Sequence, residues 1–148
     1  MYDPASLPDY VAGDFSRGLH KIITDHEIDS LQKKGCLVEP NVRFGVVPWS
    51  PNAIADYVKR CQSDLGPIVH DIKTGDSASR TRNQKPVYPA VVNGNAYSPS
   101  PGIMTFGLPM NQRLPPMAVE FPTQGSKGWR TLRLGSDGKL IEPASPGP

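Results

Sequence analysis

Long apolar runs are missing from this 148-residue sequence. No stretch of 18 apolar residues occurs, so no segment reads as a membrane-spanning helix. Excess charge is missing too: 16 Lys and Arg against 14 Asp and Glu leave a net charge of +2. A dedicated polyanion binder usually shows a clearly basic domain. The opening segment MYDPASLPDYVAGDF has neither a basic n-region nor an apolar h-region, so it does not read as a signal peptide. The expected location is therefore a virion or a cytoplasmic assembly, neither secreted nor membrane-spanning. Only two cysteines occur, Cys36 and Cys61, and in a cytosolic chain two unpaired thiols are favoured over a disulfide.

Catalytic signatures are equally scarce. There is no G-x-G-x-x-G, Walker A or G-x-S-x-G sequence. Zinc sites need about four ligands, commonly in close pairs, whereas His20, His26, His70 and the two cysteines form none. Asp25, Glu27 and Asp29 are explained by the first turn of a helix, where acids complement the macrodipole. Neither a metal nor another cofactor is expected, and no residue is assigned a catalytic role.

Proline and glycine are abundant, and unevenly placed. They make up 12 of the first 85 residues but 19 of the 63 from Pro86 onward. At about 30% this reaches the range of low-complexity sequence. Disorder normally comes with high charge, yet from Asn83 to Gly125 only Lys85, Arg113 and Glu120 are charged, and apolar residues recur throughout. Such a segment, stiffened by proline, suits an extended strap on a partner surface.

The fold class expected is α+β: a small helix-plus-short-strand unit in residues 1–85, then an extended Pro/Gly-rich, irregular β-containing arm in 86–148. The junction falls within residues 75–85.

In the first half, Asp14–Ile23 reads as a short helix, and Thr24 with Glu27 as the capping box of another that stops at Gly35. Short strands follow at Cys36–Val38 and Val42–Val47, broken by Pro40. Ser50-Pro51 reads as a helix start, with Ile54, Val58, Cys61 and Leu65 spaced along one helical face. Gly66-Pro67 would end it before a strand at Ile68–Ile72. In the second half, Val87–Val92 followed by Asn93-Gly94 has the signature of an edge strand entering a hairpin. Met117–Phe121 reads as a strand. Trp129–Leu134, the turn Gly135–Gly138 and Lys139–Glu142 make a hairpin within 129–142.

Two sets of residues are candidates for binding. Tyr88, Tyr97, Met104, Phe106, Met110, Met117, Phe121 and Trp129 are the arm's partner-binding candidates, since interfaces favour aromatic residues and Met. Arg80, Arg82, Lys85, Arg130 and Arg133 are the nucleic-acid candidates, because phosphate contacts require cations and donors.

Ile23–Leu31 with Gly35–Pro40 resembles the opening segment of the dCTP deaminase and dUTPase-like family. Thr131-Leu132-Arg133-Leu134-Gly135 is similar to that family's strand ending in R-L-G. The resemblance covers about 20 residues. It implies an enzyme of nucleotide metabolism as one alternative, with no site residue carried over. The leading expectation is a non-enzymatic structural accessory subunit that straps onto other protein subunits of a large assembly. A virion, with the chain as a capsid-associated, cement or tail-connector protein, is the setting. A nucleic-acid-binding assembly protein is the remaining alternative.

Overall fold

The computed structural model describes residues 12–51, 53–74, 84–125 and 128–142. The fold is α+β. A long N-terminal helix α1 (Ala12–Lys33) precedes β1 (Leu37–Phe44), β2 (Ala53–Arg60), β3 (Ile68–His70) and β4 (Lys73–Thr74). Then come α2 (Gln84–Asn93), a 3-10 helix (Pro101–Phe106), β5 (Ala118–Gly125), β6 (Gly128–Leu134) and β7 (Leu140–Ile141).

The strands form one seven-stranded mixed sheet in the order β1-β2-β3-β5-β6-β7, with β4 also pairing β5. The β3–β5 and β4–β5 pairs are parallel and the others antiparallel. Pro122, which has no amide hydrogen, lies between the last β3 pair (His70↔Glu120) and the first β4 pair (Lys73↔Thr123). There the row of β3 and β4 makes no ladder, so the missing donor is tolerated.

The extended arm is overturned by this topology. Residues after Pro86 supply α2, the 3-10 helix and three strands, and β5 lies in the middle of the sheet between β3 and β6. The main core joins Val42, Phe44, Ala55 and Val69 from the first half to Tyr88, Val91, Ile103, Val119 and Phe121 from the second. The dispersed apolar residues of the proline-rich half are therefore buried against the chain itself. Burial of each large side chain contributes about 1.5–3 kcal/mol.

Several local expectations change for identifiable reasons. The two expected N-terminal helices are one helix, and Thr24 is internal to it, its hydroxyl donating to the His20 carbonyl at 2.8 Å. Gly35 does end the turn after α1, at φ 86°. The second expected helix is instead strand β2, bonded residue by residue to β1 from Leu37↔Arg60 to Phe44↔Ala53. Its supposed stripe is not a buried face, since Ile54 is 46% and Leu65 fully exposed.

Conversely, Val87–Val92 is helical. Val87, Tyr88 and Val91 are all buried, a spacing that one helix face satisfies and strand alternation does not. Gly94, at φ 76°, follows the end of α2 rather than turning a hairpin. The expected C-terminal hairpin is present as β6 and β7, with Gly138 at φ 85° in its turn.

Cys36 and Cys61 are joined in a disulfide, contrary to the expectation of two thiols. The β1–β2 register explains it. The pair after Leu37↔Arg60 is Cys36 opposite Cys61, so residues 25 apart in sequence become cross-strand neighbours.

Candidate functional site

Strand β2 organises the features with functional potential: an exposed tip before it, a polar seam along it, and a cleft after it. The tip is the β1–β2 connection. Its base is closed on the core side by Phe44 and Ala53, both buried. Gly45 exchanges two backbone hydrogen bonds of 2.9 Å with Tyr97, and the Ser50 amide donates to the Val47 carbonyl. A Cβ at position 45 would collide with the Ser50 carbonyl oxygen, so only glycine permits this close passage.

Pro48 and Pro51 further restrict the segment. On it Trp49 is 82% exposed, with Val46 and Ile54 nearly half exposed at the base. A loop constrained in this way has little backbone freedom left to lose on binding.

The seam satisfies backbone and charge where the sheet ladder runs out. The β2–β3 ladder ends at Tyr57↔His70. Just beyond, the Ile72 amide donates to Asp56 Oδ2 at 2.7 Å, and His20 Nε2 of α1 donates to the Ile72 carbonyl at 3.1 Å. His20 Nε2 also lies 3.2 Å from Asp56 Oδ2, and this hydrogen bond to Asp56 raises the His20 pKa above its ordinary value.

Asn41, opposite Asp56, has a left-handed backbone at φ 54°, uncommon for a residue other than glycine. The apolar contacts change side at this point. Val38 and Tyr57 join a satellite cluster with Leu19, Ile23 and Ile72, whereas Val42 and Ala55 belong to the main core. A cleft of about 260 Å³ opens here, lined by His20, Thr24, Asn41 and Asp56 among others.

Further along, a polar relay crosses four strands, β2, β3, β5 and β6. Glu120 accepts from His70 Nε2 at 3.0 Å, so in the neutral ring Nδ1 accepts the Tyr57 hydroxyl at 2.9 Å. The other Glu120 oxygen accepts from Arg133 Nη2 at 2.6 Å and Nε at 3.1 Å. The His70 hydrogen bond, then Arg133, hold the Glu120 carboxyl down at about pKa 2 against the opposing effect of burial. Burial raises the Tyr57 phenol, which stays protonated as a donor.

The second cleft, of about 470 Å³, opens at the far end of β2, beside the β2–β3 turn and the start of β5. Asp64 shapes that turn by accepting from the Cys61 amide at 2.7 Å and Lys59 Nζ at 2.9 Å. Leu65, Pro67, Ile68, Pro116 and Met117 give the cleft an apolar lining, with Arg133 at its side.

Of the candidates from sequence, Met117 and Arg133 line the second cleft, and the others fall elsewhere. Tyr88, Phe106, Met117 and Phe121 are buried in the chain's own core, and Tyr97, Met110 and Trp129 are half-buried, while Met104 is exposed. Arg80 and Arg82 lie outside the described residues. Lys85 is exposed, whereas Arg130 pairs with Glu142 and Arg133 with Glu120.

Sequence reasoning passed over Trp49 and Asp56, and weighed His20 as a zinc ligand. The run Val47-Pro48-Trp49-Ser50-Pro51 was the available signal for the first. The His20–Asp56 contact spans 36 residues and left no local mark.

The chain matches no family model, no curated protein and no solved structure. Among the described residues no group of three or more His, Cys, Asp or Glu is placed to hold a metal ion, and no helix is long and apolar enough to cross a membrane.

Proposed function

We propose that this chain is a non-enzymatic structural accessory subunit of a large assembly, with a virion as its setting, and that it joins other subunits through the β1–β2 tip. The observation that carries this reading is Trp49, 82% exposed on a loop pinned by Gly45, Tyr97 and Ser50. Interface hot spots are enriched in tryptophan, and constrained anchors bind at a lower entropic cost.

The disulfide supports the virion setting, because such bonds persist on virion surfaces and are rare in reducing compartments. The alternative of a nucleotide-metabolism enzyme has the cleft beside His20 to draw on. At about 260 Å³ it falls below the roughly 300–1,000 Å³ typical of small-molecule sites, whereas the cleft of about 470 Å³ at the far end of β2 falls within that range.

The test is density-gradient sedimentation of particles from the source cells, with wild-type and Trp49→Ala chains followed side by side. The wild-type chain should travel with a large particle, and the variant, folded by circular dichroism, should stay near the top. A wild-type chain that never leaves the monomer fractions, or a variant that travels equally well, counts against the proposal.

A further inference from the structure

Strand alternation sets what surrounds the Cys36–Cys61 bond. Cys61 comes two residues after Lys59 at the end of β2, so the two side chains leave the same face. Opposite them on the β1 side stand Cys36 and Val38, with Val38 paired directly to Lys59. Lys59 Nζ donates to Cys61 Sγ at 3.7 Å and to Asp64 Oδ2 at 2.9 Å. The Lys59 and Asp64 side chains are each only 13% exposed, so the ammonium is held against the sulfur rather than loose in solvent.

The two sulfurs therefore differ. A cation touches Cys61, and a neighbouring cation stabilises a thiolate. Cys36 packs against the satellite cluster of Leu19, Ile23, Val38, Tyr57 and Ile72, and apolar surroundings disfavour a thiolate. Lys34, the cation nearest to Cys36 in sequence, is exposed. Both cysteines are partly exposed, so neither is closed to a small thiol.

We propose that this disulfide is a reversible exchange site for a low-molecular-weight monothiol, with Cys36 the sulfur attacked and Cys61 the leaving group. The monothiol R–SH loses its proton to solvent and attacks Cys36 as R–S⁻. An R–S–Cys36 bond forms and the Cys36–Cys61 bond breaks. The electron pair leaves on Cys61, as a thiolate beside the Lys59 ammonium. A thiol of lower pKa leaves faster, and this sets the direction.

Asp64 opposes the thiolate by its like charge, but its Oδ2 atom is engaged by the Lys59 ammonium and the Cys61 amide. Glu120 of β5 is the next carboxylate and acts on Asp64, and it is itself bound to His70 and Arg133. The ammonium is the group that meets the sulfur.

The site is also built to close again. With the bond open, the Cys36 amide still donates to the Leu31 carbonyl at 3.0 Å, and the Cys61 amide to Asp64 at 2.7 Å. The Leu37↔Arg60 pair lies directly beside them. The cysteines stay opposed, and the Cys61 thiolate returns to Cys36, expelling R–S⁻. The inference is independent of the assembly reading, since Trp49 takes no part in it.

The experiment incubates the oxidised full chain with reduced glutathione, quenches early in acid, alkylates, and maps both cysteine peptides by mass spectrometry. Glutathione should sit on Cys36 in at least about threefold excess over Cys61, the ratio that one pKa unit between leaving thiols supports. Lys59→Met should bring the ratio toward one, and Lys59→Arg should keep the excess. Asp64→Asn disturbs the same turn while sparing the ammonium, so it should keep the excess too.

A second measurement reads the thiolate without exchange. In Cys36→Ser, shown folded by circular dichroism, the pH profile of Cys61 alkylation should turn below the ordinary value of about 8.5. Adding Lys59→Met should move the turning point up. Equal adducts on both cysteines, an excess on Cys61 or no adduct at all would overturn the proposal. So would a ratio that Lys59→Met leaves unchanged or Asp64→Asn abolishes, or a Cys61 profile turning at or above the ordinary value.

Discussion

Replacing Glu120 by glutamine removes the charge on which the relay from Tyr57 to Arg133 depends. In the folded chain the carboxyl lies at about pKa 2, against an ordinary value near 4.5, with His70 the largest cause and Arg133 next. At about 1.4 kcal/mol per pKa unit this difference corresponds to roughly 3 kcal/mol. Solvent reaches Arg133, which is nearly half exposed, and screening reduces the figure to about 2 kcal/mol.

The sign follows from the direction of the shift. A depressed carboxyl stabilises the fold fully above its unfolded value, and that stabilisation is lost as pH falls toward 2. Glu120→Gln should thus be about 2 kcal/mol less stable than wild type in urea unfolding at pH 7. The gap should narrow by roughly 1 kcal/mol on going to pH 3.5. A variant as stable as wild type at pH 7, or a gap unchanged between the two pH values, would refute the relay as described.

Other consequences can be measured separately. Raising pH through the elevated His20 value should cost wild type stability that is fully present below about pH 6.5, whereas His20→Gln should lack this dependence. At pH 6 that variant should be roughly 1 kcal/mol less stable, with faster amide exchange in α1 around Leu19–Thr24. Replacing both Cys36 and Cys61 with serine opens a loop closed over a separation of 25 residues and should lower stability by about 3 kcal/mol in thermal unfolding. Gly45→Ala should distort the tip through the Ser50 carbonyl and weaken association as much as Trp49→Ala does. Association unchanged in this variant would show that the loop's constraint is irrelevant.

What was legible in the sequence was local. Gly35 after two lysines marks the end of α1, and Gly135–Gly138 between alternating segments marks the β6–β7 hairpin, because the chemistry of each stop lies within a few residues. The errors arose where two local codes coincide or where the partner is distant. Asn93-Gly94 serves equally as a hairpin turn and as a helix terminus, and only the burial of Val87, Tyr88 and Val91 distinguishes them.

Ile54, Val58, Cys61 and Leu65 fit helical spacing by coincidence, while the antiparallel partner that makes β2 a strand lies in β1. The low charge of the proline-rich half correctly marked apolar residues awaiting burial. Composition alone does not distinguish burial against another molecule from burial against the same chain, and β5 between β3 and β6 decides for the latter. Of the candidate site, Trp49 was visible between its two prolines, but its exposure depends on the Gly45–Tyr97 pairing, which brings together residues 52 apart.

The most direct test of the account is the emission of Trp49 in its own environment. The chain has two tryptophans, and Trp129→Phe leaves Trp49 as the sole reporter. Free at low concentration, this variant should show red-shifted, readily quenched emission, as an indole 82% exposed requires. Within the assembled particle the account predicts a blue shift and protection from a soluble quencher. Emission that stays red-shifted and fully quenchable after incorporation would contradict the tip as the contact that joins this chain to its partners.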